Sequence, residues 1–199
     1  MDPKKLFENK IWLCVYDHDK NCDNKQRLRI SQLAAEYAQE FKIPGQFDAI
    51  LEGEKGKPYF RDTKDLHFSI SHSGKCWVCA LGTARIGVDL QETKGHNNME
   101  VAKRFFNKNE YEYLKNTSKE EFFDIWVAKE SYVKYTGTGI ADNFSNFSVI
   151  GSNKRFVEKL NGADIRFVPF DQGYRLCVCS ERIVGVEVKR FFARAQNDR

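Results

Sequence analysis

The order in which two hydrophobic periods follow one another restricts this chain more than any other feature. Side chains on one face of a helix recur every three or four residues, and those on one face of a strand every two. Strand-type runs and a single helix occupy the first 90 residues, a helical block follows from Val101 to Gly137, and strand-type runs return from Phe147 to Val188. Helices gathered between groups of strands, rather than alternating with them one by one, read as α+β.

Within that order, Ile11–Tyr16 (IWLCVY) reads as a strand. A helix is expected from Gln26 to Phe41, where Ile30, Leu33, Ala34, Tyr37 and Phe41 fall three or four apart and Pro44-Gly45 follows. Leu66–Ser71 reads as a strand, and Trp77–Leu81 with Ile86–Gln91 reads as a hairpin around Gly82-Thr83. Polar Gln91–Asn98 is the expected linker. In the helical block, Val101–Phe106 forms a first piece, Asn107 with Glu110 caps a second, and Ser118 with Glu121 caps a third that runs to Thr136 and stops at Gly137. Strands are expected at Phe147–Ile150, Ile165–Phe170, Arg175–Ser180 and Ile183–Val188. Gly87-Val-Asp-Leu90 and Gly185-Val-Glu-Val188 each follow a cysteine-containing strand, an echo that suggests two similar halves. The expected division is residues 1–90 and 91–199, with 91–98 as the link.

Composition removes several function classes. No apolar run in the 199 residues approaches the roughly 20 that a membrane helix needs, and no apolar signal-peptide core follows Met1, so a cytoplasmic location is expected. A net charge of +4 gives no indication of nucleic acid, although basic residues from Lys154 onward could attract an acidic or phosphorylated partner. Cys76 and Cys79 have C-x-x-C spacing, but in a strand they leave on opposite faces and cannot share a metal.

The chemistry-bearing residues come from separate segments. Asp89 and Gln91, two apart in a strand, leave on one face, and an oxygen-rich pair there suits a hard cation such as Mg²⁺. Trp126, Glu130 and Lys134 share one helical stripe with Phe122, so a charged pair continues an aromatic face and calls for a metal or phosphate partner. Ser69-Ile-Ser-His-Ser-Gly74 places Ser71 and His72 beyond a strand, in a segment able to cradle a phosphate or serve as a plain turn. Gly56-Lys57-Pro58 is a rigid basic turn, and Arg27 opens the first helix. No G-x-S-x-G, Walker A or G-x-G-x-x-G motif occurs, so serine-hydrolase, P-loop and Rossmann readings have no support.

Taken in order, the segments resemble the surfactin-type 4'-phosphopantetheinyl transferases. They are Gly56-Lys57-Pro58, Phe68-Ser-Ile-Ser-His-Ser73, Ile86-Gly-Val-Asp-Leu90, Ala102-Lys-Arg-Phe-Phe106 with Glu110-Tyr111, Trp126-Val-Ala-Lys-Glu-Ser-Tyr-Val-Lys134 and Gly137-Thr-Gly139. The resemblance spans about Gly53 to Ser148. It implies two α/β halves related by a pseudo-twofold axis, with the active site in the cleft between them. It implies transfer of the phosphopantetheine arm of coenzyme A to a serine of an acyl or peptidyl carrier protein, by a monomer that uses no nucleic acid or membrane. Asp89 and Glu130 would bind Mg²⁺ with Gln91 beside them, and Lys134 would contact the coenzyme A diphosphate. His72 with Ser71 would hold a phosphate, Lys57 and Arg27 the nucleotide end, and Glu130 would be the leading acceptor for the serine proton. Two departures concern affinity: Gln91 stands where the family often has glutamate, and the N-terminal region is short. The competing readings are a coenzyme A-binding module without catalysis and a Mg²⁺-dependent phosphohydrolase.

Overall fold

The computed structural model describes residues 9–17, 25–94, 98–118, 120–139 and 144–191. β1 (Asn9–Asp17) is apolar on both faces, since Ile11, Leu13 and Val15 enter one core while Trp12 and Cys14 enter another. A strand with two buried faces belongs in the middle of a sheet. β1 lies between β5 (Cys76–Gly82), antiparallel, and β10 (Ile183–Phe191), parallel, and β4 (His67–Ser73) completes the sheet in the order β10-β1-β5-β4. A second sheet has the order β6-β9-β8-β7, from β6 (Ile86–Glu92), β9 (Tyr174–Ser180), β8 (Ala163–Phe167) and β7 (Lys159–Leu160). A two-stranded ribbon joins β2 (Ile50–Glu52) to β3 (Pro58–Phe60).

The two larger sheets pack face to face. Ile11, Leu13, Val15, Val78 and Ala80 of the first meet Ile86, Val88, Leu90, Leu176 and Val178 of the second in one dry cluster. The outer face of the first sheet is covered by α1 (Gln26–Phe41), whose buried positions Ile30, Leu33, Ala34 and Tyr37 are those of the sequence periodicity. The outer face of the second carries α2 (Asn98–Phe105), α3 (Lys108–Leu114) and α4 (Glu121–Thr136). The result is four layers, helix, sheet, sheet and helices, in an α+β architecture. No described helix is long and apolar enough to cross a membrane.

α4 is buried almost all round, which is how an apolar helix behaves in the interior of a domain. Trp126 stacks on Phe122 with ring centroids 5.8 Å apart, so the aromatic stripe is packed as expected. Gly137 ends the helix in the left-handed conformation at φ 73°, and its N–H bonds to Val133 O. α3 has the expected capping box, Asn107 with Glu110. Cys76 and Cys79 face different cores, as alternation requires.

Several expectations are corrected. Trp77–Leu81 and Ile86–Gln91 do not pair as a hairpin; residues 83–85 carry the chain from one sheet to the other, because Ile86, Val88 and Leu90 bury their faces only by joining β9. The hairpin is instead β4–β5, turning at Gly74. Ser118 and Glu121 form no capping box: Glu120 is the N-cap, and the Glu121 carboxylate accepts from Tyr113 OH at 2.8 Å. Phe147–Ile150 is not a strand, since Val149 N–H is taken by a buried carboxylate and only an isolated bridge from Ile150 to Phe156 forms. The expected linker is partly strand, with Gln91 and Glu92 in β6, and its residues 95–97 lie outside the described residues. Apart from these corrections, β6, which contains residue 90, pairs in the second sheet, and β10 pairs in the first.

Where the edges of the sheets approach, they do not share backbone bonds. Ser69, Ser71 and Ser73 of β4, each two residues from the next, present hydroxyls on one face. They accept the N–H groups of Val88 (3.1 Å), Leu90 (3.2 Å) and Glu92 (2.9 Å) in β6. Side-chain oxygens thus satisfy an edge that would otherwise leave buried donors unpaired.

Candidate functional site

Gly87 decides how closely α4 approaches β6. A Cβ at this position would collide with Ser131 O and Tyr135 N of the helix backbone, so only glycine allows the contact. Residues two apart on a strand share a face, so Gly87, Asp89 and Gln91 all turn toward α4. Glu130 and Lys134, one helical turn apart, meet that face.

The centre of the site is the Asp89 carboxylate, which is 5% exposed. Its Oδ1 accepts from Lys134 Nζ at 2.7 Å and from Ser71 Oγ at 2.8 Å. Lys134 Nζ also donates to Ser71 Oγ at 3.1 Å and to Ile70 O at 3.4 Å. Asp89 Oδ2 is buried and has no hydrogen-bond partner. Burial pushes the Asp89 carboxyl above its ordinary range, outweighing Lys134 and Ser71, which pull it down. Glu130 is 4% exposed, and its carboxyl is pushed up to about 7 by burial first and the Asp89 charge second, against the opposing pull of Lys134. Two dehydrated carboxyls therefore face one ammonium, and one carboxylate oxygen is left over.

That surplus of anionic oxygen is what a hard divalent cation would neutralise. Among the described residues no group of three or more Asp, Glu, His or Cys side chains converges. The oxygens that could serve a cation here are the orphaned Asp89 oxygen and those of Glu130, and Mg²⁺ commonly takes one or two carboxylates with phosphate and water oxygens for the rest. The Gln91 amide nitrogen donates to Glu92 O at 3.3 Å, within its own strand.

A cavity of about 340 Å³ opens beside Glu130 and Lys134, walled by the Lys55–Pro58 turn, Phe68, Ile70 and Val133. Its size and mixed walls suit part of a ligand with polar and apolar portions. A larger groove of about 780 Å³ beside α1 has exposed Lys42 and Asp48 at its charged positions and offers no desolvated group.

The other expected residues divide. Ser71 is at the centre, donating to Asp89 and accepting from Leu90 N–H and Lys134. His72 is exposed and leaves the opposite face of β4, opposite Trp77, so the strand does not bring it together with Ser71. Lys57 lines the cavity, but its ammonium donates to Ile86 O and Tyr135 O, both at 3.0 Å. Arg27 donates to Ile50 O at 3.0 Å and pairs with Glu52 at 3.4 Å, on the β2 side.

Sequence reasoning missed one supporting group. Lys129 and Glu110 form a fully buried ion pair at 2.8 Å. Lys129 also donates to Phe147 O at 2.7 Å and lies 4.0 Å from the centre of the Phe147 ring. The Glu110 oxygens accept from Asn107 N–H and Val149 N–H, so the network is filled on both sides. It holds α3 and the Phe147–Val149 segment against α4, one residue from Glu130. The acid of the Asn107–Glu110 capping signature was legible; its second partner, 19 residues on, was not.

A family model described as the 4'-phosphopantetheinyl transferase superfamily matches residues 85–179, which include Asp89, Glu130 and Lys134. The chain is 37% identical over 136 residues to the 4'-phosphopantetheinyl transferase Sfp of Bacillus subtilis, a match covering 64% of this chain and 60% of that protein. It is 40% identical over 107 residues to the 4'-phosphopantetheinyl transferase HetI of Nostoc, covering 49% of this chain and 45% of that protein. It is 38% identical over 167 residues to a Synechocystis protein provisionally named as such a transferase, covering 68% of each chain. The chain thus spans about 60% of the length of the Bacillus protein.

Proposed function

Since the chain belongs to the 4'-phosphopantetheinyl transferase superfamily, we propose that it moves the 4'-phosphopantetheine arm of coenzyme A onto a serine of an apo acyl or peptidyl carrier protein. One observation carries this reading: an orphaned carboxylate oxygen of Asp89, the dehydrated Glu130 and the Lys134 ammonium are grouped beside a cavity. The serine oxygen forms a bond to the β-phosphorus of coenzyme A, the diphosphate P–O bond breaks, and 3',5'-ADP leaves.

Asp89 and Glu130 are the residues that would hold Mg²⁺, with Gln91 beside them. Bound there, the ion would neutralise charge on the diphosphate. Lys134 is within reach of the same charge, since an ammonium now satisfied by Asp89 Oδ1 can donate to a phosphate oxygen once Asp89 has another cation. Glu130 takes the serine proton, since it is the carboxylate of the cluster that lines the cavity. Ser71 holds Asp89 in place. His72 and Arg27 are assigned to the phosphate and nucleotide parts of the ligand. The helix–sheet–sheet–helix layering supports a pseudo-twofold arrangement of two halves, approximately residues 1–90 and 91–199, that exchange β6 and β10.

Mass spectrometry of an apo-carrier protein incubated with coenzyme A, Mg²⁺ and this protein tests the proposal. The carrier should gain one phosphopantetheine, and EDTA should stop the gain. Release of 3',5'-ADP without any carrier would indicate a phosphohydrolase instead, and binding of coenzyme A without turnover a non-catalytic module.

A further inference from the structure

Lys57 stands in the turn between β2 and β3, where Gly53 N–H bonds to Lys57 O at 3.0 Å and Pro58 follows with its fixed φ. From there its side chain runs inward along the end of α4. A Cβ on Gly137, the residue that caps the helix, would lie 3.4 Å from Lys57 Cδ, so the aliphatic stem packs on the cap. The ammonium then donates to two main-chain carbonyls, Tyr135 O and Ile86 O, each at 3.0 Å.

Both acceptors have a specific meaning. Tyr135 O belongs to the last turn of α4, where carbonyls lack helical partners and the helix dipole favours a cation. Ile86 begins β6, three residues before Asp89, and Tyr135 directly follows Lys134. One ammonium therefore ties the end of the helix that carries Glu130 and Lys134 to the start of the strand that carries Asp89. Burial lowers the Lys57 pKa to about 8, a cost that a nearby carboxylate would remove, yet the partners are neutral carbonyls. Two of its three N–H donors are already engaged within the protein.

We propose that Lys57 is a positioning residue, whose ammonium cross-links the C-terminus of α4 to the start of β6 and so fixes Glu130 and Lys134 relative to Asp89. The catalytic consequence rests on the transferase reading above; the cross-link itself does not. The alternative role for the same side chain is direct contact with the nucleotide end of the ligand, and the two differ in what they do to the ligand-free protein.

Lys57→Met keeps the stem and removes the donors. In the ligand-free protein, amide hydrogen exchange should quicken by about tenfold in peptides covering residues 133–139 and 86–90, with α1 and β1 unchanged. In the transfer assay kcat should fall by about tenfold while KM for coenzyme A changes by less than about threefold, because reacting groups are misplaced and binding contacts are retained. Lys57→Arg, which keeps charge and donors, should recover part of the exchange protection and of kcat. Exchange identical to the parent protein, or a raised KM for coenzyme A at unchanged kcat, would overturn the proposal in favour of ligand contact. If Lys57→Met does not fold, Lys57→Arg decides by the same two readings. If the parent protein shows no transfer, the functional reading fails, while the exchange comparison still decides the cross-link.

Discussion

Glu130→Gln removes an ionisable group while leaving almost the same shape in the same space, so its effect on stability isolates the charge. The Glu130 carboxyl is held at about 7 against an ordinary value of 4.5. Between those two pH values the folded protein binds more protons at this site than the unfolded chain does. Stability then falls as pH rises through the window, and above pH 7 the whole cost of burying the charge is present. That cost is about 3 kcal/mol, since each pKa step of one is worth about 1.4 kcal/mol. Below pH 4.5 the carboxyl is neutral in both states and the cost vanishes. Glu130→Gln should therefore stabilise the metal-free protein by up to about 3 kcal/mol at pH 8, or about 6–12 °C in Tm for a chain of this size, and by little at pH 4.5. Urea titrations of both proteins at the two pH values, followed by tryptophan fluorescence, measure the difference. Saturating Mg²⁺ at pH 8 should shrink it, because a cation beside the carboxylate removes most of the cost in the parent protein alone. An equal difference at both pH values, or none at either, would refute the argument that this carboxyl is held dehydrated beside a second negative charge.

Three other substitutions give independent checks. Gly87→Ala should destabilise by more than about 3 kcal/mol or prevent folding, because α4 has to move off β6; a thermal melt within a few degrees of the parent would contradict the close approach. Lys129→Met leaves Glu110 charged and buried, and should cost about 3–5 kcal/mol in urea unfolding; a loss below about 1 kcal/mol would show that the pair adds little. Gln91→Glu should tighten Mg²⁺ binding to the ligand-free protein in a calorimetric titration, since it adds an anionic oxygen on the strand face of Asp89; unchanged affinity would mean that this side chain does not face the ion.

The readable and unreadable parts of this sequence separate along one physical line. α1 was legible to the residue because its buried positions repeat at helical spacing and nothing distant competes. The pairing of β6 was not, because Ile86, Val88 and Leu90 announce a buried face without saying which sheet supplies the other side. Ser118 and Glu121 carried the letters of a capping box, but Tyr113 took the glutamate. At the site, Asp89, Glu130 and Lys134 could be named from motifs in order, and the structure brings Asp89 and Lys134 to 2.7 Å. Lys57 and Ser71 were read as ligand contacts because a basic turn and a hydroxyl-rich strand end favour phosphates. Their neighbours in space, two carbonyls in one case and a carboxylate in the other, come from segments 18 to 78 residues away.

The serine contacts between β4 and β6 also set how far apart these two strands stand. Strands joined by backbone hydrogen bonds lie about 4.8 Å apart, and an edge-to-edge union of that kind would merge the two sheets into one continuous surface. A hydroxyl in place of a carbonyl adds the length of a side chain to each link. The same hydroxyl of Ser71 that makes one of these links also touches the Lys134 ammonium and the Asp89 carboxylate. Width is therefore set by the smallest hydrogen-bonding side chain: asparagine at 69, 71 or 73 would reach too far, and alanine would leave an amide stranded. The spacer between the strands is also the group that holds the site's central carboxylate in line.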